Sequence, residues 1–167
     1  MAVPRTYHLV TLGCPKNDSD SEHFERLLTG GNLEAVANPA DADAIIVNTC
    51  GFIEQSQQES YAAVEELASR KRAGQTLIVA GCLTQLYSSE LRQRAPAVDH
   101  VFGVGQWREV ARLLSVDVDA VFDIPESTPV LRGPSAYLKI SDGCDAPCTF
   151  CVIPRIKGGL RSAPAGL

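Results

Sequence analysis

The stretch "AIIVNTCGF", Ala44 to Phe52, decides the fold. Ala44 to Val47 are apolar at every position, with two isoleucines and a valine. A strand wet on one face alternates apolar and polar residues. A run apolar throughout belongs to a strand covered on both faces, as in a parallel sheet between layers of helices. The run ends at Cys50, with Gly51 directly after it. The same cadence recurs on either side. "YHLVTL" (Tyr7 to Leu12) leads into Gly13 and Cys14, and "TLIVAG" (Thr76 to Gly81) leads into Cys82.

Helical patterns fill the intervals. "DSDSEHFERLLTGG" has Asp18 or Ser19 to cap its start, an apolar stripe of Phe24, Leu27 and Leu28, and Gly30 or Gly31 to end it. Leu33 to Val36 reads as a short strand. A long helix is expected from about Gln55 to Ala73, closed by Gly74, with Tyr61, Val64, Leu67 and Ala68 on one face. Another is expected near Ser89 to Arg94, then a strand "HVFGV" and a short helix "WREVARLLS". This βαβα order predicts an α/β fold, an open parallel sheet with helices on both faces.

Composition shifts near Asp123. "DIPESTPVLRGPS" holds Pro125, Pro129, Gly133 and Pro134 and reads as a linker. "AYLKIS" (Ala136 to Ser141) then reads as the first strand of a new unit. The expected organisation is a first domain over 1–124, a linker over 125–135 and the start of a second unit over 136–167.

With 15 basic and 20 acidic residues and no dense Lys/Arg run, the segment is a poor binder of nucleic-acid backbone; its balance suits a basic partner better. No apolar run approaches the length of a membrane span, and no signal-peptide pattern opens the chain. A cytoplasmic setting is therefore expected. In that reducing compartment six cysteines are expected to be ligands or catalytic groups, not disulfides.

Cys14, Cys50 and Cys82 share one local setting, just past a strand. In a parallel sheet all strand C-termini lie along one edge, neighbouring strands being roughly 4.8 Å apart. Three thiols there can converge beyond the edge, where open α/β folds place their ligands. Gly13, Gly51 and Gly81 beside them allow close backbone approach to a bulky inorganic group. The pattern predicts a shared thiolate site. The plainer alternative makes each a small apolar residue at a strand end.

Cys144, Cys148 and Cys151 form C-x3-C-x2-C within "GCDAPCTFC". A disulfide would leave one thiol over. Zinc wants four ligands, and His8, His23 and His100 are remote in sequence. The remaining reading is a 4Fe–4S cluster on three thiolates, one iron being left free for a small molecule. On residues alone, three classes stay open: an enzyme of radical sulfur insertion, an iron–sulfur electron-transfer or metal-binding module, and a zinc-stabilised domain.

The spacing of this second trio after a strand, with "VIP" following, resembles the radical S-adenosylmethionine (SAM) enzymes. Joined with "LGCPKN", "VNTCGF", "AGC" and "GGLRS", it resembles the methylthiotransferase family along nearly the whole chain. That resemblance implies two 4Fe–4S clusters, an auxiliary one on Cys14, Cys50 and Cys82 and a radical-generating one on Cys144, Cys148 and Cys151. It implies SAM as methyl donor and radical source, with Phe150 against the adenine. "GCPKN" followed by "DSDSE" resembles the branch acting on the β-carbon of an aspartate in ribosomal protein S12; the branch acting on tRNA adenosine usually reads "GCQMN". Ser19 departs from that branch's common valine. The implied partners are ribosomal protein S12, a flavodoxin- or ferredoxin-like reductant and a sulfur donor. Arg155, Lys157 and Arg161 read as a cationic cluster for an anionic group or as a solvated loop. Pro15 and Lys16 serve as a marker of the family branch or as plain loop chemistry, Pro15 stiffening the turn and Lys16 solvated; Asp142 and Asp145 receive no catalytic role. Measured against the family, the chain stops at the opening of a (β/α) barrel, so it is expected to be an N-terminal fragment without activity of its own.

Overall fold

The computed structural model describes residues 4–118, 130–132 and 135–163. Strands β1 (Thr6–Thr11), β2 (Glu34–Ala35), β3 (Ala44–Thr49), β4 (Thr76–Gly81) and β5 (His100–Val101) form one sheet in the order β2-β1-β3-β4-β5. Every pairing in it is parallel. Helices α1 (Pro15–Gly30), α2 (Glu54–Arg70), α3 (Cys82–Arg94) and α4 (Trp107–Leu113) connect and follow the strands. This is the doubly wound order in which the direction of winding across the sheet reverses between β1 and β3, the point where such sheets open a crevice at the strand C-termini.

The apolar run of β3 explains the two layers. All six of its residues are buried. Ala44 and Ile46 face a core with Phe24, Leu27 and Leu28 of α1 and Val110 and Ala111 of α4. Ile45 and Val47 face the opposite core, with Tyr61 and Val64 of α2 and Leu83 and Leu91 of α3. Strand β4 divides likewise, Ile78 to the first core and Leu77 and Val79 to the second. The pleat sends alternate residues to opposite faces, so a strand apolar throughout needs helices on both.

Some boundaries differ from expectation. Helix α1 starts at Pro15, not at Asp18 or Ser19, with Cys14 as its N-cap residue. Proline suits a first helical turn, where its missing N–H has no intrahelical partner to lose. Helix α3 starts at Cys82, directly out of β4, several residues before the Ser89 expected from the pattern, and bends at Tyr87 (φ −128°, ψ 30°). Helix α2 ends at Arg70 and β5 is only two residues long.

After the sheet, β6 (Val130–Arg132) pairs antiparallel with β7 (Ser135–Tyr137). Strand β8 (Ser141–Asp142) pairs antiparallel with β9 (Arg161–Ser162), and α5 (Ile153–Lys157) lies between them. "AYLKIS" is thus split between two short strands, Leu138 to Ile140 lying outside either. The expected boundary at 124/125 and most of the linker, including Pro125, Pro129, Gly133 and Pro134, fall outside the described residues.

Candidate thiolate sites at the strand ends

Cys14, Cys50 and Cys82 follow β1, β3 and β4, three adjacent strands in the sheet. Thr49 pairs with Gly81, so Cys50 and Cys82 are the next residues on neighbouring strands. The Leu12 N–H donates to the Asn48 carbonyl at 2.9 Å, holding the tail of β1 in line. Gly13 then turns the chain with φ +101°, and a Cβ on it would lie 2.5 Å from Cys50 Cβ and 2.8 Å from Cys50 Sγ. The Cys14 loop therefore rests on the Cys50 side chain, a seat only glycine allows. Gly81, at φ +108°, is as confined, since a Cβ there would come 2.6 Å from Asn48 Oδ1 and from the Thr49 carbonyl.

Polar side chains hold the three loops. Asn17 of α1 is 2% exposed and is central among them. Its Nδ2 donates to the carbonyls of Leu12 (2.8 Å) and Thr49 (3.1 Å), tying the end of β1 to the end of β3. Its Oδ1 lies 3.9 Å from Cys82 Sγ, and its backbone carbonyl accepts from Asn48 Nδ2 at 3.1 Å. From the other face, Ser60 Oγ of α2 accepts the Cys50 N–H at 3.0 Å and donates to the Cys50 carbonyl at 2.9 Å. Cys14 is exposed, whereas Cys50 and Cys82 are buried. Burial pushes the Cys82 thiol up to about 11, Lys157 opposes this, and the Cys50 and Cys14 sulfurs add to it. A buried thiol that resists ionising, as Cys82 does, is one a cationic inorganic group would stabilise as a thiolate.

The second trio sits on the loop between β8 and α5. Gly143 turns at φ +79°, and the Cys144 N–H donates to the Gly158 carbonyl at 3.1 Å. The Ala146 N–H points at Cys144 Sγ (3.4 Å), and the Cys151 N–H donates to the Cys148 carbonyl at 3.1 Å, folding the loop back on itself. Asp145 Oδ1 accepts the Leu160 N–H at 2.9 Å, a structural bond across the base of the loop. Cys144 and Cys151 are half-buried and Cys148 is exposed. Phe150 is 91% exposed, so it is not a packing residue of the loop here.

Among the described residues no three His, Cys, Asp or Glu side chains close around a single-ion position. A tetrahedral ion needs its sulfurs about 2.3 Å from one point. A cubane takes each thiolate on a different iron and suits a wider rim. Three thiols at three strand ends have the donor chemistry of the latter.

Of the two readings of Arg155, Lys157 and Arg161, the solvated loop fits the two arginines and neither fits Lys157. Arg155 and Arg161 are exposed, whereas Lys157 is 8% exposed and paired. Its Nζ lies 3.2 Å from Asp20 Oδ2 and 3.5 Å from Asp142 Oδ2. Lys139 Nζ lies 2.6 Å from Asp20 Oδ1 and 3.2 Å from Asp142 Oδ2. Burial works against the charge of Asp142, yet Lys157 and Lys139 hold its carboxyl below the usual range. Lys16, mostly in solvent, reaches to 3.9 Å from Asp142. Asn17, Asp20 and Lys139 were not singled out from the sequence for the site. The partners of Asp20 are 119 and 137 residues away, so no local pattern marks them.

Residues 6–103 match the family model described as "Uncharacterized protein family UPF0004", a span that holds the first trio and stops before the second. Over 98% of its length the chain is 46% identical to a protein of Anaeromyxobacter sp. (strain Fw109-5) named ribosomal protein uS12 methylthiotransferase RimO. Proteins of the same name from Chloroflexus aurantiacus and Thermotoga maritima are 40% and 42% identical over 96% and 90% of the chain. The chain spans 37%, 41% and 37% of the length of these three relatives.

Proposed function

We propose, from the premise that the chain belongs to the UPF0004 family, that it serves the methylthiolation of an aspartate β-carbon in ribosomal protein S12. The observation that carries this is the seating of Cys14, Cys50 and Cys82 at the C-terminal ends of three adjacent parallel strands, with a second cysteine trio on a loop docked to the same domain. The relatives' shared name supports the substrate. So does the net charge of −5, which suits a basic ribosomal protein better than tRNA.

On this reading Cys14, Cys50 and Cys82 hold an auxiliary 4Fe–4S cluster, and Cys144, Cys148 and Cys151 hold a second. When bound, these clusters would supply the electron that cleaves SAM and a seat for the sulfur to be transferred. The chain's own residues prepare the seats. Asn17 ties the end of β1 to the end of β3 and Ser60 holds the Cys50 backbone, which lowers the ordering cost of binding. Gly13 lets the Cys14 loop close down on Cys50. The loop between β8 and α5 presents three thiolates, and Phe150 projects where an adenine ring can stack on it. Holding both seats on one scaffold makes the meeting of radical and sulfur intramolecular. The reductant is read as flavodoxin- or ferredoxin-like, a separate donor supplies sulfur, and the setting is the cytoplasm. The division into 1–124, a linker over 125–135 and the opening of a SAM-binding barrel over 136–167 belongs to the same proposal.

The test incubates S12 and tRNA together anaerobically with SAM, a low-potential reductant, sulfide and the protein, both as this chain alone and as this chain continued by the remainder of a relative's sequence. Methylthio-aspartate on S12, found by mass spectrometry with the continued chain only, is the expected result. The modification on tRNA adenosine instead, or on neither, contradicts it.

A further inference from the structure

The loop bearing the second trio has two stems, and both are fastened to one carboxylate. Lys139 precedes β8 and gives its ammonium to Asp20 Oδ1 at 2.6 Å. Lys157 ends α5 and gives its ammonium to Asp20 Oδ2 at 3.2 Å. Asp142, one residue before Gly143, faces both lysines at 3.2 and 3.5 Å and completes an alternating ring of two anions and two cations. The four side chains are 6 to 21% exposed. Asp20 itself belongs to α1, the helix that begins directly after Cys14.

Buried ion pairs add little to stability on balance, because desolvation offsets attraction. They do fix geometry, and losing one partner strands the others' charge out of water. The platform core needs no such ring, since its two apolar layers close without it. We propose that Asp20 is a positioning residue that sets the separation of the two thiolate sites, by clamping both stems of the Cys144–Cys151 loop to the helix that starts at Cys14. The inference rests on the two-site reading above for its purpose, but the clamp itself belongs to the polypeptide. Helix α5 also packs on α3, and its Ile156 is 3% exposed, so the clamp governs alignment and not contact alone.

Hydrogen exchange read by mass spectrometry on the iron-free chain tests the clamp independently of any cluster. In Asp20→Asn, amides of residues 140–162 should exchange at least about tenfold faster, while those of β3 and β4 keep their protection. Lys139→Gln, which alters only the loop side, should give the same pattern with smaller amplitude, and it decides the matter should Asp20→Asn fail to fold. Equal loss of protection in β3, β4 and the loop, or no change in either, overturns the proposal. Normal iron loading in the presence of either outcome would separate failure of the clamp from failure of the cluster reading.

Discussion

Asn17 joins the carbonyls of Leu12 and Thr49 through one amide and lies beside Cys82. Its replacement by alanine leaves two acceptors without their donor, and Asn17→Ala should cost about 1–3 kcal/mol in a denaturant titration. Iron uptake by the first trio should fall with it. Gly13→Ala combines a left-handed backbone with a Cβ 2.5 Å from that of Cys50, and a penalty of about 1–3 kcal/mol is expected. Thiol alkylation gives a third readout at this scale. In the iron-free chain, exposed Cys14 and Cys148 should react quickly, and Cys50 and Cys82, at 5% and 8% exposure, slowly. The six cysteines and their glycines were readable in the sequence because each stands at the end of an apolar run or at a fixed spacing. The supporting residues were not, because Asn17 sits in the first turn of α1 with bonds that reach 5 and 32 residues away, and Asp20 meets partners only after the chain has folded back.

At the scale of elements, the apolar strands were legible because burial on both faces leaves no polar alternation to confuse them. Ile46→Ala in β3 should lower stability by about 2–5 kcal/mol, as expected for a fully buried side chain among well-packed neighbours. Helix starts were less legible. Helix α3 emerges from β4 with no capping side chain, so nothing in "CLTQLY" announces it, and α1 begins behind Pro15 where a conventional polar cap suggested Asp18. "AYLKIS" looked like one strand because apolar residues dominate it, yet its partners, β6 and β9, reach only its two ends. The edge of β1 carries a titratable device. Asp43 Oδ2 accepts the N–H groups of Arg5 (2.8 Å) and Thr6 (3.0 Å), and the Arg5 bond, then the Thr6 bond, holds its carboxyl below the usual range. A depressed folded value means that the unfolded chain takes up the proton first. The contribution is therefore present above the unfolded value near about 3.9 and disappears as pH falls through the folded one. Asp43→Asn should flatten that part of the stability profile measured from pH 6 down to pH 2, leaving the slopes from Asp99 and Asp142.

For the whole molecule, the sheet order sets the C-terminal ends of β1, β3 and β4 side by side, and Cys14, Cys50 and Cys82 lie along that edge. The loop of the second trio is held to the sheet unit by charges and by the packing of α5 on α3, an arrangement no sequence pattern announced. The most direct measurement is the iron content and visible spectrum of the chain after anaerobic reconstitution, beside a variant with Cys14, Cys50 and Cys82 all changed to alanine. The account predicts about eight irons per chain and a broad band near about 400 nm, with about four irons remaining in the variant. One colourless zinc per chain, or a variant whose iron content equals that of the parent, would contradict it.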